Sequence, residues 1–137
     1  MTTTFIRGDH MISPIEEEII RSYVKENKQE RLLWELNSSK KRKTIIWKFA
    51  GTELFKKNCL KATSYMSASQ IETYFSPMVT SKNVYFIGED YIGPLPLQQA
   101  ARRAQEGEIC IIYCGNGIGY YQGEQCAGKP PRFLLSN

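Results

Sequence analysis

After Glu108, the stretch Ile-Cys-Ile-Ile-Tyr-Cys (109–114) runs apolar without a polar residue at alternate positions. A strand with one wet face alternates, so an unbroken run of this length reads as a strand covered on both faces. Directly after it, Asn116-Gly117 supplies the residues that tolerate positive φ at both centres of a type I′ turn. The next run, 118–124 (Ile-Gly-Tyr-Tyr-Gln-Gly-Glu), is therefore expected to return antiparallel. Within it, Gly119 and Gly123 flank Tyr121 on one side, leaving a bare face that a helix or a partner can approach closely.

Elsewhere the patterning is helical or short and extended. Ser13-Pro14-Ile15-Glu16 combines an N-cap, a proline at the first helical position and a glutamate that closes a capping box. Ile15, Ile19, Ile20, Tyr23 and Val24, then Leu32, Leu33 and Leu36, predict one long or broken helix over 14–36. Glu16, Glu17 and Glu18 fall at its positive dipole end, so they need no metal to account for them. A second helix is expected from Lys40 to Ala50, closed by Gly51, and a third opens at Ser67 and ends at Pro77. Residues 83–88 read as a strand, 96–106 as a helix and 132–136 as a last strand. A strand, a helix and a strand in that order predict a right-handed crossover with 83–88 parallel to 108–114. The expected fold is α+β: N-terminal helices packed on a small mixed four-stranded sheet built from the C-terminal half, one domain over 13–137 behind a tail at 1–12. Met11 is a second candidate start, and the last strand is a candidate sheet edge, so monomer and homodimer both remain open.

At 137 residues the chain fits one core. No apolar run is long enough to span a bilayer, and the first residues lack the apolar stretch of a secretory signal, so the expected location is cytoplasmic, with no membrane partner. Cys59, Cys110, Cys114 and Cys126 show no disulfide framework and are expected as free thiols. The net charge of +4 conceals its distribution: residues 21–61 hold twelve Lys and Arg against four Glu.

Three chemistries suggested by 110–130 fail on spacing or on the residues that follow. As strand residues, Cys110 and Cys114 share a face but stand about 13 Å apart, too far to share one tetrahedral ion, and the only histidine is His10. No metal is expected. Gly123 to Lys129 matches the G-x-x-x-x-G-K of a phosphate loop, yet Pro130 replaces the magnesium-binding hydroxyl and Pro131 bars the helix that should follow. Gly115, Gly117 and Gly119 lack the dinucleotide spacing, because Tyr120 stands where the third glycine belongs. No cofactor is expected. The element order also departs from that of RNA-recognition sheets, which place a helix before the last strand.

Two sites remain. Glu89-Asp90, after a strand, is a candidate loop site, which in an enzyme would have to converge with another carboxylate such as Glu124 in a pocket. The basic segment carries Trp34, Trp47 and Phe55 among its cations, and Lys40, Lys41, Arg42 and Lys43 open a helix where the dipole disfavours them. Such a local cost points to recognition. The expected function is a non-enzymatic protein-binding module, an inhibitor or toxin-neutralising immunity-type protein, meeting an acidic protein surface through Lys40, Lys41, Arg42, Lys43, Lys48, Lys56 and Lys57. The alternative is a nucleic-acid binder using 21–61.

Overall fold

The computed structural model describes residues 11–125 and 130–137. His10, most of the expected tail, Cys126 and the Gly128-Lys129 end of the phosphate-loop match lie outside the described residues.

The capping box forms as read: Ser13 Oγ accepts from Glu16 N–H at 3.3 Å while Glu16 Oε1 accepts from Ser13 N–H at 3.1 Å, opening α1 (Pro14–Tyr23). The helix breaks at Val24, and α2 (Glu26–Leu36) restarts beyond it. The break is stabilised from outside, since Tyr23 O accepts from Lys56 N–H at 2.8 Å and Lys25 N–H donates to Leu54 O at 2.9 Å. The helix expected over 40–50 is instead a kinked 3-10 segment, Arg42–Phe49. Consecutive β-branched Thr44, Ile45 and Ile46 behind a cationic start favour α-helix poorly, and the tighter coil still buries Ile45, Ile46 and Phe49.

Then follow β1 (Leu60–Ala62), α3 (Ala68–Phe75), β2 (Val84–Ile87), β3 (Ile92–Leu95), α4 (Leu97–Gln105), β4 (Cys110–Gly115), β5 (Ile118–Gln122) and β6 (Arg132–Leu135). The class is α+β, but among the described residues the sheet has six strands in the order β1-β6-β5-β4-β2-β3, and every pairing is antiparallel. This corrects the mixed four-stranded sheet and the parallel crossover. Ile92-Gly93-Pro94-Leu95 looks like a loop because of its glycine and proline, yet it forms β3 and reverses the chain before α4 begins. Helix α4 therefore delivers β4 beside β2 in the opposite direction. Proline is tolerated there because β3 is a sheet edge, where a missing N–H costs no ladder bond. The last strand, by contrast, is interior: β6 lies between β1 and β5, which removes it as a dimerising edge.

Strand β4 is buried on both faces, as its composition requires. Ile111 and Tyr113 join the core under α1, α2 and the 3-10 segment, whereas Cys110, Ile112 and Cys114 join a second core under α3 and α4. Helices thus cover both sides of the sheet rather than one N-terminal layer covering a single side. The Asn116-Gly117 turn adopts positive φ at both residues (53° and 76°). Burial pushes the Cys59, Cys110 and Cys114 thiols up, and all three are free.

Gly119 shows why the bare face of β5 matters. A Cβ there would lie 2.5 Å from Ile112 O on the neighbouring strand and 3.4 Å from the Tyr23 hydroxyl of α1. Backbone cannot yield as a flexible side chain does, so Gly119→Ala is expected to cost about 1–3 kcal/mol. A urea titration reads this as a lower midpoint with an unchanged slope; an unshifted midpoint would mean that the strand pair has room to spare.

Candidate interaction surface

The basic segment does not present all its cations in the same way. Arg42 leaves the surface: its Nη2 donates to Glu16 Oε2 at 2.6 Å, and its Nη1 donates to Glu16 Oε1 at 3.2 Å and to Leu36 O at 2.7 Å. Glu16 is 1% exposed and also accepts from the Tyr85 hydroxyl. Burial alone works against the Arg42 charge, but the Glu16 carboxylate holds its guanidinium above the usual value. Burial first, then Glu16, pushes the Tyr85 phenol up to about 12. Arg42 is therefore a tie between α1, the 3-10 segment and β2, and not a free contact. Lys56 is also engaged, donating through Nζ to Arg21 O at 3.0 Å. Lys40, Lys41, Lys43, Lys48 and Lys57 are exposed.

Both tryptophans stand out in solvent, Trp34 at 52% and Trp47 at 48% exposure, whereas Phe55 fills the core. An indole left half exposed while tyrosines and phenylalanines are buried offers a partner apolar surface that the fold itself does not cover. Trp34 is flanked by the Arg31 guanidinium at 5.2 Å and the Lys41 ammonium at 5.8 Å from its ring centroid. Glu35, one residue along on α2, is buried and accepts from Arg31 Nε at 2.8 Å and pairs with Lys48 Nζ at 3.3 Å. It joins the cation beside Trp34 to the residue that follows Trp47.

Glu35 also gives the surface a pH signature. Burial alone would raise its pKa, but the hydrogen bonds and charges of Arg31 and Lys48 outweigh this and leave it lowered. A carboxyl with a lowered folded-state pKa adds stability that is present above the unfolded value, about 4.3, and is lost as pH falls through the folded one. Its two partners are well exposed, so the expected size is about 1 kcal/mol. Glu35→Gln should therefore be less stable than the natural chain near pH 7, with the gap closing on acidification below about pH 4. A gap that holds constant with pH would contradict the assignment.

Glu89 and Asp90 do meet further carboxylates. With Glu106 and Glu108 they line an open depression of about 550 Å³, closed on one side by Trp47. Glu124, named from the sequence as a companion carboxylate, does not line it. Much of the acidic oxygen is spent on folding contacts. Glu108 accepts from Arg103 Nε at 2.9 Å and from Glu89 N–H at 2.8 Å, Glu89 accepts from Ile109 N–H at 2.9 Å, and Asp90 pairs with Arg103. The Arg103 guanidinium lies over Phe86 at 4.9 Å. This clamp ties the β2–β3 turn to the start of β4. Glu106, Glu108 and Arg103 carried no signal in the sequence, since only the reversal at β3 brings the α4 C-terminus to that turn.

The two sites read separately from the sequence are neighbours in space. A groove of about 480 Å³ has Arg42 and Lys43 on one side, Glu89, Asp90, Tyr91 and Ile92 on the other, and Met11 among its lining residues. Cations and carboxylates therefore share one face around the 3-10 segment. Among the described residues no helix is long and apolar enough to cross a membrane, and no group of three or more potential metal ligands is found. Compared with known protein families, curated proteins and solved structures, the chain matches none.

Proposed function

We propose that the chain is a protein-binding module whose partner presents an acidic surface, and that within this class it acts as an inhibitor or immunity-type protein. The observation that carries the reading is the pair of exposed tryptophans set among cations on α2 and the 3-10 segment. The neighbouring carboxylates favour a protein over a nucleic acid. A uniform polyanion following Lys41, Lys43 and Trp47 would run into Glu89, Asp90, Glu106 and Glu108, whereas a protein surface of mixed charge need not. Base stacking on Trp34 would also compete with Arg31 and Lys41, which already lie within cation–π distance of its ring.

The test compares the natural chain with Trp34→Ala and Lys41→Glu variants, each shown to be folded by thermal melting. An acidic protein captured from native extract by the natural chain should bind Trp34→Ala about 30-fold more weakly, the loss expected of a tryptophan hot spot worth about 2 kcal/mol. Single-stranded RNA and duplex DNA, titrated at several salt concentrations, should not distinguish the variants. Equal capture by all three chains would refute the reading. So would steeply salt-dependent RNA binding that disappears with Lys41→Glu.

A further inference from the structure

The groove between the 3-10 segment and the β2–β3 turn contains more than charge. Tyr91 and Met11 are exposed large hydrophobics, and both line it together with half-buried Ile92. Its two cations differ in kind. Arg42 is committed to Glu16, while Lys43 is exposed and makes no ion pair among the described residues. Across the groove, Glu89 and Asp90 keep the local charge from being uniformly positive. Because Glu89 and Asp90 also line the depression beside Trp47, groove and depression adjoin, and the 3-10 segment carries both Lys43 and Trp47 along them.

We infer that this groove seats the partner's anchor: an extended protein segment that places an apolar side chain against Met11, Tyr91 and Ile92 and an acidic residue next to Lys43. The inference rests on the protein-binding reading above and adds the chemistry of the occupant. A polyanion is the wrong occupant, because the carboxylate side of the groove would repel it and the apolar side chains would gain nothing from it. A purely apolar segment is wrong as well, since it would cover Lys43 and Asp90 without replacing their water. An apolar residue beside an acidic one satisfies both sides, with Asp90 and Glu89 left to the backbone amides or to a basic neighbour in the same segment.

The probe is a displayed library of random twelve-residue peptides selected on the full chain, with the best peptide then synthesised and titrated by fluorescence anisotropy. Selection should enrich adjacent apolar and acidic residues, and the peptide should bind Tyr91→Ala and Lys43→Glu at least tenfold more weakly. Lys43 is fully on the surface, whereas the Tyr91 hydroxyl also donates to Pro94 O at 2.8 Å, so melting curves are recorded for both variants and Lys43→Glu carries the test if Tyr91→Ala is destabilised. Acid-rich peptides that weaken only with Trp34→Ala would overturn the groove and leave the protein-binding reading standing. Selection with no acidic enrichment would overturn both. Binding that appears only after residues 1–10 are deleted would make the chain's own N-terminal segment the occupant, and would overturn the partner assignment for this groove.

Discussion

Replacing Glu16 with alanine should lower the unfolding free energy by about 3 kcal/mol, the lower end of the cost of breaking a buried ion pair. The lower end applies because the Arg42 side chain keeps 14% of its exposure and can recover some hydration. The cost lies mainly in what remains behind: a guanidinium largely out of water, a Tyr85 hydroxyl without its acceptor and a Ser13 N–H without its capping carboxylate. The paired substitution Glu16→Ala with Arg42→Ala should cost clearly less than the sum of the two single changes, since each single change strands the other's partner. Additive costs, from urea midpoints at one pH, would mean that the two side chains act independently.

Truncating Tyr121 to alanine should cost about 3–5 kcal/mol, the range for removing a buried aromatic from a core. Its ring is fully buried against Phe55 at 4.5 Å and stacks on Phe133 at 5.8 Å. Its hydroxyl reaches Phe49 O at 2.6 Å and Gly51 O at 2.9 Å, holding the end of the 3-10 segment to the sheet. Tyr121→Phe separates these roles: the packing stays, the hydrogen bond goes, and the expected cost is about 1 kcal/mol. That variant should also loosen the segment that presents Trp47, seen as faster amide exchange over 47–51. Equal costs for the alanine and phenylalanine variants would place the whole effect in the hydroxyl and contradict the packing account.

Local chemistry was legible in the sequence wherever one residue type decides the backbone. The Ser13 capping box, the helix start at Ser67, the Asn116-Gly117 turn and the two-faced burial of β4 all form as their residues dictate. What failed was a matter of long-range pairing. Gly93 and Pro94 hid β3, and losing one reversal turned an antiparallel sheet into an expected parallel crossover. β1, three residues long and without a periodic signal, was also missed, and with it the covered position of β6.

The candidate site divides along the same line. Lys41, Lys43 and the two tryptophans lie on adjacent sequence elements and could be noted together. That Arg42 is withdrawn from the surface by Glu16 depends on a contact 26 residues away, and that Glu89 and Asp90 face the basic segment depends on tertiary packing. Spacing along the chain carries neither fact.

The chain has only two tryptophans, both on the proposed surface, so their fluorescence reports on that surface alone. The most direct measurement is acrylamide quenching of this emission, free and with the captured acidic partner. Strong quenching in the free chain, falling together with a blue shift as the partner is added and returning at high salt, is the predicted result. Saturated binding that leaves quenching and emission unchanged would show that recognition takes place elsewhere on the molecule.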